Sequence, residues 1–380
     1  MDKKQVLIEV IHKFTRGYPQ VVHNIGEKPK ERRKYGMKTN RLIEDNNVNK
    51  TEAYTQAVEK LNAGEVVAFP TETVYGLGAI ATNEQAVAKI FQAKGRPSDN
   101  PLIVHFGEAD EIRNYVTHIS NNAQDCIDAF WPGPLTLILN AKPNVFAPNV
   151  TAGLQTVGVR MPDHPVAIEL LKMLGQPVAA PSANRSGKPS PTTALHVEND
   201  LAGRIPLILD GGATGIGLES TVVDFTVDPP VILRPGGVTA NMLREVIGEV
   251  VEPDTTKVDD LTTPRAPGMK YAHYAPDAPV YLIQPRHDTI NDAINTIHMN
   301  NQKVALLGFD EFNQTRADWF FSLGNQQNPE ESAHHLYAHL RACDETTADV
   351  VLVTVPEKTG VGAAIFNRLE KAADGNWWAS

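Results

Sequence analysis

Val66-Val67-Ala68-Phe69-Pro70-Thr71-Glu72-Thr73-Val74-Tyr75-Gly76-Leu77-Gly78 is the stretch on which the reading of the fold turns. Four consecutive apolar residues end at Pro70, whose missing N–H cannot extend a strand ladder. So short and continuous an apolar run predicts a strand buried on both faces rather than an amphipathic one. Residues 71–78, polar and glycine-bearing, predict a turn. Beyond the turn Thr82 is placed as a helix cap with Gln85 completing a capping box, and Ala86, Val87, Ile90 and Phe91 recur on one face. Gly95 suits the left-handed position after the last turn. Upstream, a helix over residues 55–62 stops at Gly64. Helix, buried strand, turn and helix in succession point to an α/β fold.

Working outward, strands are predicted over residues 102–105, 135–139, 156–160, 178–180, 207–209, 221–225 and 231–233. Helices are predicted between them over 123–130, 165–174, 192–201 and 241–247. These form one domain, residues 48–252, with a mixed sheet. Residues 253–279 have the composition of a linker, yet hold Arg265, Pro267, Gly268, Tyr271, His273 and Tyr274. Aromatic residues are costly to leave idle in a tether, so this linker is expected to fold over something. From 280 to 380 strands alternate with helices, which implies a smaller, Rossmann-like parallel α/β domain.

Residues 1–47 stand apart as an N-terminal extension. Within the first 36 residues nine Lys and Arg face four Asp and Glu, a net of +5, which leaves −15 for residues 37–380. A disordered tail, a translation start at Met37 instead of Met1, and a basic RNA-contacting arm all stay open as readings. An acidic chain of net charge −10 is poorly suited to gripping nucleic acid through phosphates. No apolar run approaches the ~20 residues of a membrane span, and no secretory signal is visible. Two distant cysteines, Cys126 and Cys343, fit structural thiols in a reducing cytoplasm.

The P-loop, GxGxxG, CxxC and HExxH patterns are absent. Lys94-Gly95-Arg96-Pro97-Ser98-Asp99-Asn100-Pro101 puts two cations at a helix end before a proline-flanked loop. Lys94 alone would suit the helix dipole; adding Arg96 makes phosphate binding an equal reading. Val178-Ala179-Ala180-Pro181-Ser182-Ala183-Asn184 ends a buried strand in small polar residues, a common place for ligands in open sheets. Ser190 followed by Pro191 reads as a helix N-cap whose N–H groups suit a phosphate, or as an ordinary capped loop. His105, Arg160 and Arg234 close strands, and Ser220 opens one beside Glu219. His334, His335 and His339 share a helix; with no third ligand at a telling position, a solvated face is expected rather than a metal site.

Residues 70–78, 94–105, 181–190, 219–224, 233–236 and 265–276 together resemble the YrdC-like threonylcarbamoyl-AMP synthases, in the longer form with an extra C-terminal domain. The resemblance covers about residues 40–380, not residues 1–36. It implies a twisted mixed sheet and an enzyme, a nucleotidyltransferase, that joins L-threonine, bicarbonate or CO₂, and ATP into threonylcarbamoyl-adenylate with release of pyrophosphate. It implies catalytic roles for Lys94, Arg96, Ser182 and Asn184. It also implies a nucleotide site that adds Asn100, Thr156, Ser190, Arg234, Tyr271, His273 and Tyr274 to Arg96 and Ser182. Thr73, His105, Arg160, Ala180 and Ser220 would surround threonine, and residues 265–276 would form a lid. Mg²⁺ is expected with ATP, without protein ligands. A separate tRNA-modifying transferase complex would receive the adenylate, so this chain need not hold tRNA. An RNA-binding module without catalysis and a carbamoyl-transfer enzyme remain the alternative readings.

Overall fold

The computed structural model describes residues 37–43, 50–252 and 274–379. The N-terminal 36 residues, the linker residues 265–270, Tyr271 and His273 lie outside the described residues.

The first sheet uses β1 (Asn40–Ile43), β2 (Val67–Phe69), β3 (Gly76–Ile80), β4 (Ile103–His105) and β5 (Leu135–Asn140). It continues with β6 (Thr156–Arg160), β7 (Val178–Ala179), β8 (Leu207–Asp210), β9 (Thr221–Asp224) and β10 (Val231–Arg234). Among the described residues these ten strands make one mixed sheet in the order β1-β8-β2-β3-β7-β4-β6-β5-β9-β10. Both faces are covered, as continuous apolar runs require. In β2, Ala68 packs in one apolar cluster with the helix Glu84–Lys94, while Val67 and Phe69 pack in the other with Lys50–Asn62 and Pro165–Leu174.

Three local expectations change. Residues 76–78 are not turn but the start of β3, because their glycines let neighbouring layers close. A Cβ on Gly78 would lie 2.7 Å from side-chain carbons of both Phe69 and Val178. Asn83, not Thr82, caps the helix Glu84–Lys94, its side chain accepting the Ala86 N–H at 3.0 Å. Gly95 ends that helix at φ 64°, as expected. The sheet also begins before residue 48, since β1 pairs in parallel with β8 and Arg41 meets Asp210 at 2.6 Å.

The second sheet is parallel, with β11 (Val280–Ile283), β12 (Val304–Gly308), β13 (Trp319–Ser322) and β14 (Val350–Thr354) in the order β11-β14-β12-β13. Helices His287–Met299, Pro329–Cys343 and Val361–Ala372 pack on it. Its apolar core does not stop at the domain edge, for Val74, Ile216 and Leu218 of the first domain belong to the same cluster. Polar ties surround this seam: Arg341 meets Asp200 at 2.8 Å, and Lys188 meets Asp344 at 2.9 Å and Asp277 at 2.5 Å. The expectation of a solvated histidine face fails at His334, which is buried against Gly215, its Nδ1 2.8 Å from the carbonyl oxygen. His335 and His339 stack on each other at 5.2 Å, half-buried. Both cysteines are free and buried, and burial pushes both thiols up to about 12.

Candidate functional site

One cleft gathers most of the residues singled out from sequence: Thr73, Lys94, Arg96, His105, Arg160, Ala180, Ser182, Asn184, Ser220, Arg234 and Tyr274 all line it. Pairing geometry explains the convergence. His105 and Arg160 are register partners on the parallel strands β4 and β6, so their side chains emerge together. Val178 of β7 sits opposite His105, and Ser182 bridges to Gly76.

The Lys94 and Ser182 motifs turn out to be one knot. Lys94 is buried in the last turn of its helix. Its ammonium donates to the carbonyl oxygens of Ser182 (2.5 Å) and Asn184 (2.7 Å) and to Asn184 Oδ1 (3.2 Å). Burial, then the nearby Arg96, push that ammonium well down from the ordinary lysine range. Asn184 Oδ1 also accepts from Ser182 Oγ at 2.5 Å, and its Nδ2 donates to the carbonyls of Arg185 and Lys188. Lys94 and Asn184 therefore spend their hydrogen-bonding capacity on shaping the loop. Arg96 is half-buried, with its guanidinium carbon 6.0 Å from the Phe91 ring centre.

At Arg160 the guanidinium is held from behind. Nη2 lies 2.5 Å from Glu72 Oε1, Nη1 donates to Thr73 Oγ1 at 3.1 Å, and both charged groups are buried. Thr73 in turn shares a 2.8 Å hydrogen bond with Thr71. Burial, with Arg160 adding to it, lowers His105 to about 3, so its imidazole is neutral at pH 7.

Around β9 and β10, Arg234 donates from Nε to the Ser220 carbonyl (3.1 Å) and from Nη2 to Ser220 Oγ (3.2 Å). Ser220 Oγ also meets Thr136 at 2.8 Å. Glu219 faces the cleft and is met by three groups: Ser190 Oγ donates at 2.5 Å, Tyr337 Oη at 2.8 Å and Arg368 Nε at 2.8 Å. Burial alone would raise this carboxyl, but Arg368, Arg234 and the hydrogen bonds outweigh it and bring Glu219 down to about 2. Tyr274 closes this side, at φ 73° and stacked on Tyr337 at 5.2 Å.

Other expected site residues sit elsewhere. Ser190 is not a helix cap: the helix Ala194–Leu201 is capped by Thr193, and Ser190 is buried against Glu219. A phosphate at that helix end is therefore not supported. Asn100 is fully buried beside the cleft-lining loop but is not part of the lining. Thr156 and Arg160 occupy opposite ends of β6, about 13 Å apart at the usual strand rise. A ligand touching both must span that length. Sequence reasoning missed Glu72, Tyr337 and Arg368. Arg368 was detectable, since it interrupts the apolar stripe formed by Val361, Ala364, Ile365, Leu369 and Ala372.

Residues 59–236 match a protein-family model described as telomere recombination, and residues 238–374 match one described as threonylcarbamoyl-AMP synthase, C-terminal domain. A threonylcarbamoyl-AMP synthase of Bacillus subtilis is 49% identical over 321 residues, covering 84% of this chain and 92% of that protein. One from Pyrococcus abyssi is 46% identical, covering 82% of this chain and 92% of its own length. The crystal structure of P. abyssi Sua5 complexed with L-threonine matches with a TM-score of 0.83 at 43% identity, over 89% of this chain and 98% of that one.

Proposed function

The chain belongs to the threonylcarbamoyl-AMP synthases, and from that premise we propose that its cleft joins L-threonine, bicarbonate or CO₂, and ATP into threonylcarbamoyl-adenylate. It is an enzyme of nucleotidyltransferase type, acting in tRNA modification. The observation that carries the site reading is the meeting of a buried, backed guanidinium (Arg160) and the Lys94–Ser182–Asn184 knot in one cleft.

In this reading Arg160 and Thr73 receive the threonine carboxylate, with Ala180 and Ser220 completing the pocket. Glu72 holds Arg160 in place, so the guanidinium need not be ordered at the moment of binding. His105 beside it is neutral at pH 7, so it brings no charge of its own into the threonine pocket. The free amine takes up CO₂ with release of a proton to solvent, or bicarbonate with loss of water, to give a carbamate. A carbamate oxygen then bonds to the ATP α-phosphorus as the bond to the bridging oxygen breaks, and pyrophosphate leaves with that electron pair. Arg96 and Ser182 meet the phosphoryl group, and Lys94 and Asn184 fix the loop that presents Ser182. Arg234 serves the nucleotide, and Thr156 and Asn100 its far end.

ATP would enter with Mg²⁺ carried on its phosphates. Among the described residues no group of three or more His, Cys, Asp or Glu is placed to hold a metal ion, and we assign the ion no protein ligand. Among them also no helix is long and apolar enough to cross a membrane. We place the enzyme in the cytoplasm, passing its adenylate to a separate tRNA-modifying transferase.

The test is pyrophosphate release from ATP by the purified protein, with threonine and bicarbonate omitted in turn. Release that requires both, with the adenylate seen by mass spectrometry and lost in Arg96→Ala, is the expected result. Release indifferent to threonine would reject the reading.

A further inference from the structure

Among the described residues lining the cleft, Glu219 is the single acid, facing Lys94, Arg96, Arg160 and Arg234. Its presence is awkward for a site that takes a polyphosphate and an amino-acid carboxylate. An uncompensated carboxylate there would repel both, or would draw the nearest cation away from the ligand.

The compensation comes from the other domain. Arg368, on the helix Val361–Ala372, has no solvent exposure and donates from Nε to Glu219 Oε2 at 2.8 Å. A second donor, Nη2, lies 3.5 Å from the Glu219 carbonyl oxygen, and Nη1 is spent on Asn367 Oδ1 at 2.8 Å. Tyr337, from the helix Pro329–Cys343, adds its hydroxyl at 2.8 Å to the same carboxylate oxygen. Glu219 thus receives its counter-charge from behind, while Arg234 is engaged with the main chain and hydroxyl of the next residue, Ser220. The main chain at Glu219 and Ser220 packs closely on Gly236. A Cβ on Gly236 would come within 2.7 Å of the Glu219 carbonyl oxygen.

We propose that Arg368, with Tyr337, is a positioning residue for the nucleotide: by neutralising and anchoring Glu219 it leaves Arg234 aimed at the phosphates. The C-terminal domain then completes the ATP half of the site without touching the ligand. This rests on the placement of ATP argued above, and the test separates the two.

Steady-state KM for ATP and for threonine, and kcat, are measured for Arg368→Met, Arg368→Lys, Arg368→Met combined with Glu219→Gln, and Tyr337→Phe. Thermal melts check that each variant is folded. Arg368→Met should raise the ATP KM on the order of 10–100-fold while moving the threonine KM far less. The lysine variant should recover part of that loss. The double variant, which removes the orphaned charge, should recover most of it, as a purely packing role would not. Should Arg368→Met fail to fold, Tyr337→Phe should still raise the ATP KM, by several-fold, with threonine unchanged. Equal effects on both substrates, or a double variant no better than the single one, would overturn the proposal. Arg96→Ala in the same assay tests the underlying site: if it leaves ATP use intact, the placement of the nucleotide falls. If it abolishes turnover while the Arg368 and Tyr337 variants leave the ATP KM unmoved, only the role of Arg368 falls.

Discussion

Two buried guanidinium–carboxylate pairs flank the cleft, and they are built in opposite senses. In the pair Arg160–Glu72 the cation lines the cleft and the carboxylate stands behind it, both from the first domain. In Glu219–Arg368 the carboxylate lines the cleft and the cation stands behind, supplied by the second domain. A buried pair contributes little net stability against apolar residues of the same shape, yet loss of one partner costs about 3–5 kcal/mol. Such pairs are better understood as devices for aiming a group than as sources of stability. One aims a positive charge into the cleft; the other silences a negative one there.

The sharpest way to break this comparison is Arg160→Ala. It removes the charge offered to the threonine carboxylate and orphans Glu72, so about 3–5 kcal/mol of stability should be lost. Among molecules that stay folded, the threonine KM should rise on the order of 100-fold or more, with ATP affected far less. Steady-state kinetics with each substrate varied separately decides it. Equal effects on threonine and ATP would contradict the assignment.

Gly217→Ala strains the seam beside the other pair. Gly217 sits at φ +82°, and a Cβ there would lie 2.6 Å from the Ala333 carbonyl oxygen across the seam. The strained backbone and the clash together should cost about 2–4 kcal/mol. Gly212→Ala, at φ +83° with nothing within 4 Å of its Cβ, is the control and should cost only about 1 kcal/mol. Chemical denaturation measures both. The Gly217 variant should in addition raise the ATP KM, by loosening Arg368 from Glu219, and the control should not.

Smallest is a difference in pH dependence. His105 is held at about 3 in the folded protein against 6.5 for a free histidine, so below pH 6.5 the unfolded chain binds a proton that the folded one refuses. Stability therefore falls as pH drops from 6.5 toward 3, by on the order of 1 kcal/mol at pH 5.5. His196, also lowered to about 3 by burial, adds a loss of the same sign. Glu219, at about 2 against 4.5, keeps its contribution above pH 4.5 and loses it only as pH falls toward 2. Denaturation between pH 7 and 4.5 should be flattened by His105→Asn and left unchanged in slope by Glu219→Gln.

Much of this was legible from the chain itself. Buried strands show as short apolar runs, and β6 begins and ends at the residues its pattern indicates. The cations at strand and helix ends could be picked out one by one, and the family resemblance named their neighbours. What stayed hidden depends on pairing between distant segments. The glycines of β3 look like a turn until Phe69 and Val178 are seen packed over them. Lys94 looks like a dipole-favoured helix end until the carbonyls 88 and 90 residues later fold over it. Arg368 lies 149 residues from its partner, and only its place inside an apolar stripe hints that something must neutralise it.

The apolar cluster that joins Val74, Ile216 and Leu218 to the second domain has a calorimetric consequence. Two domains that met only through surface ion pairs would melt separately, each at its own temperature. Here the seam is core, and neither half can release it without wetting the other's apolar side chains, so heat should unfold the protein in one cooperative endotherm.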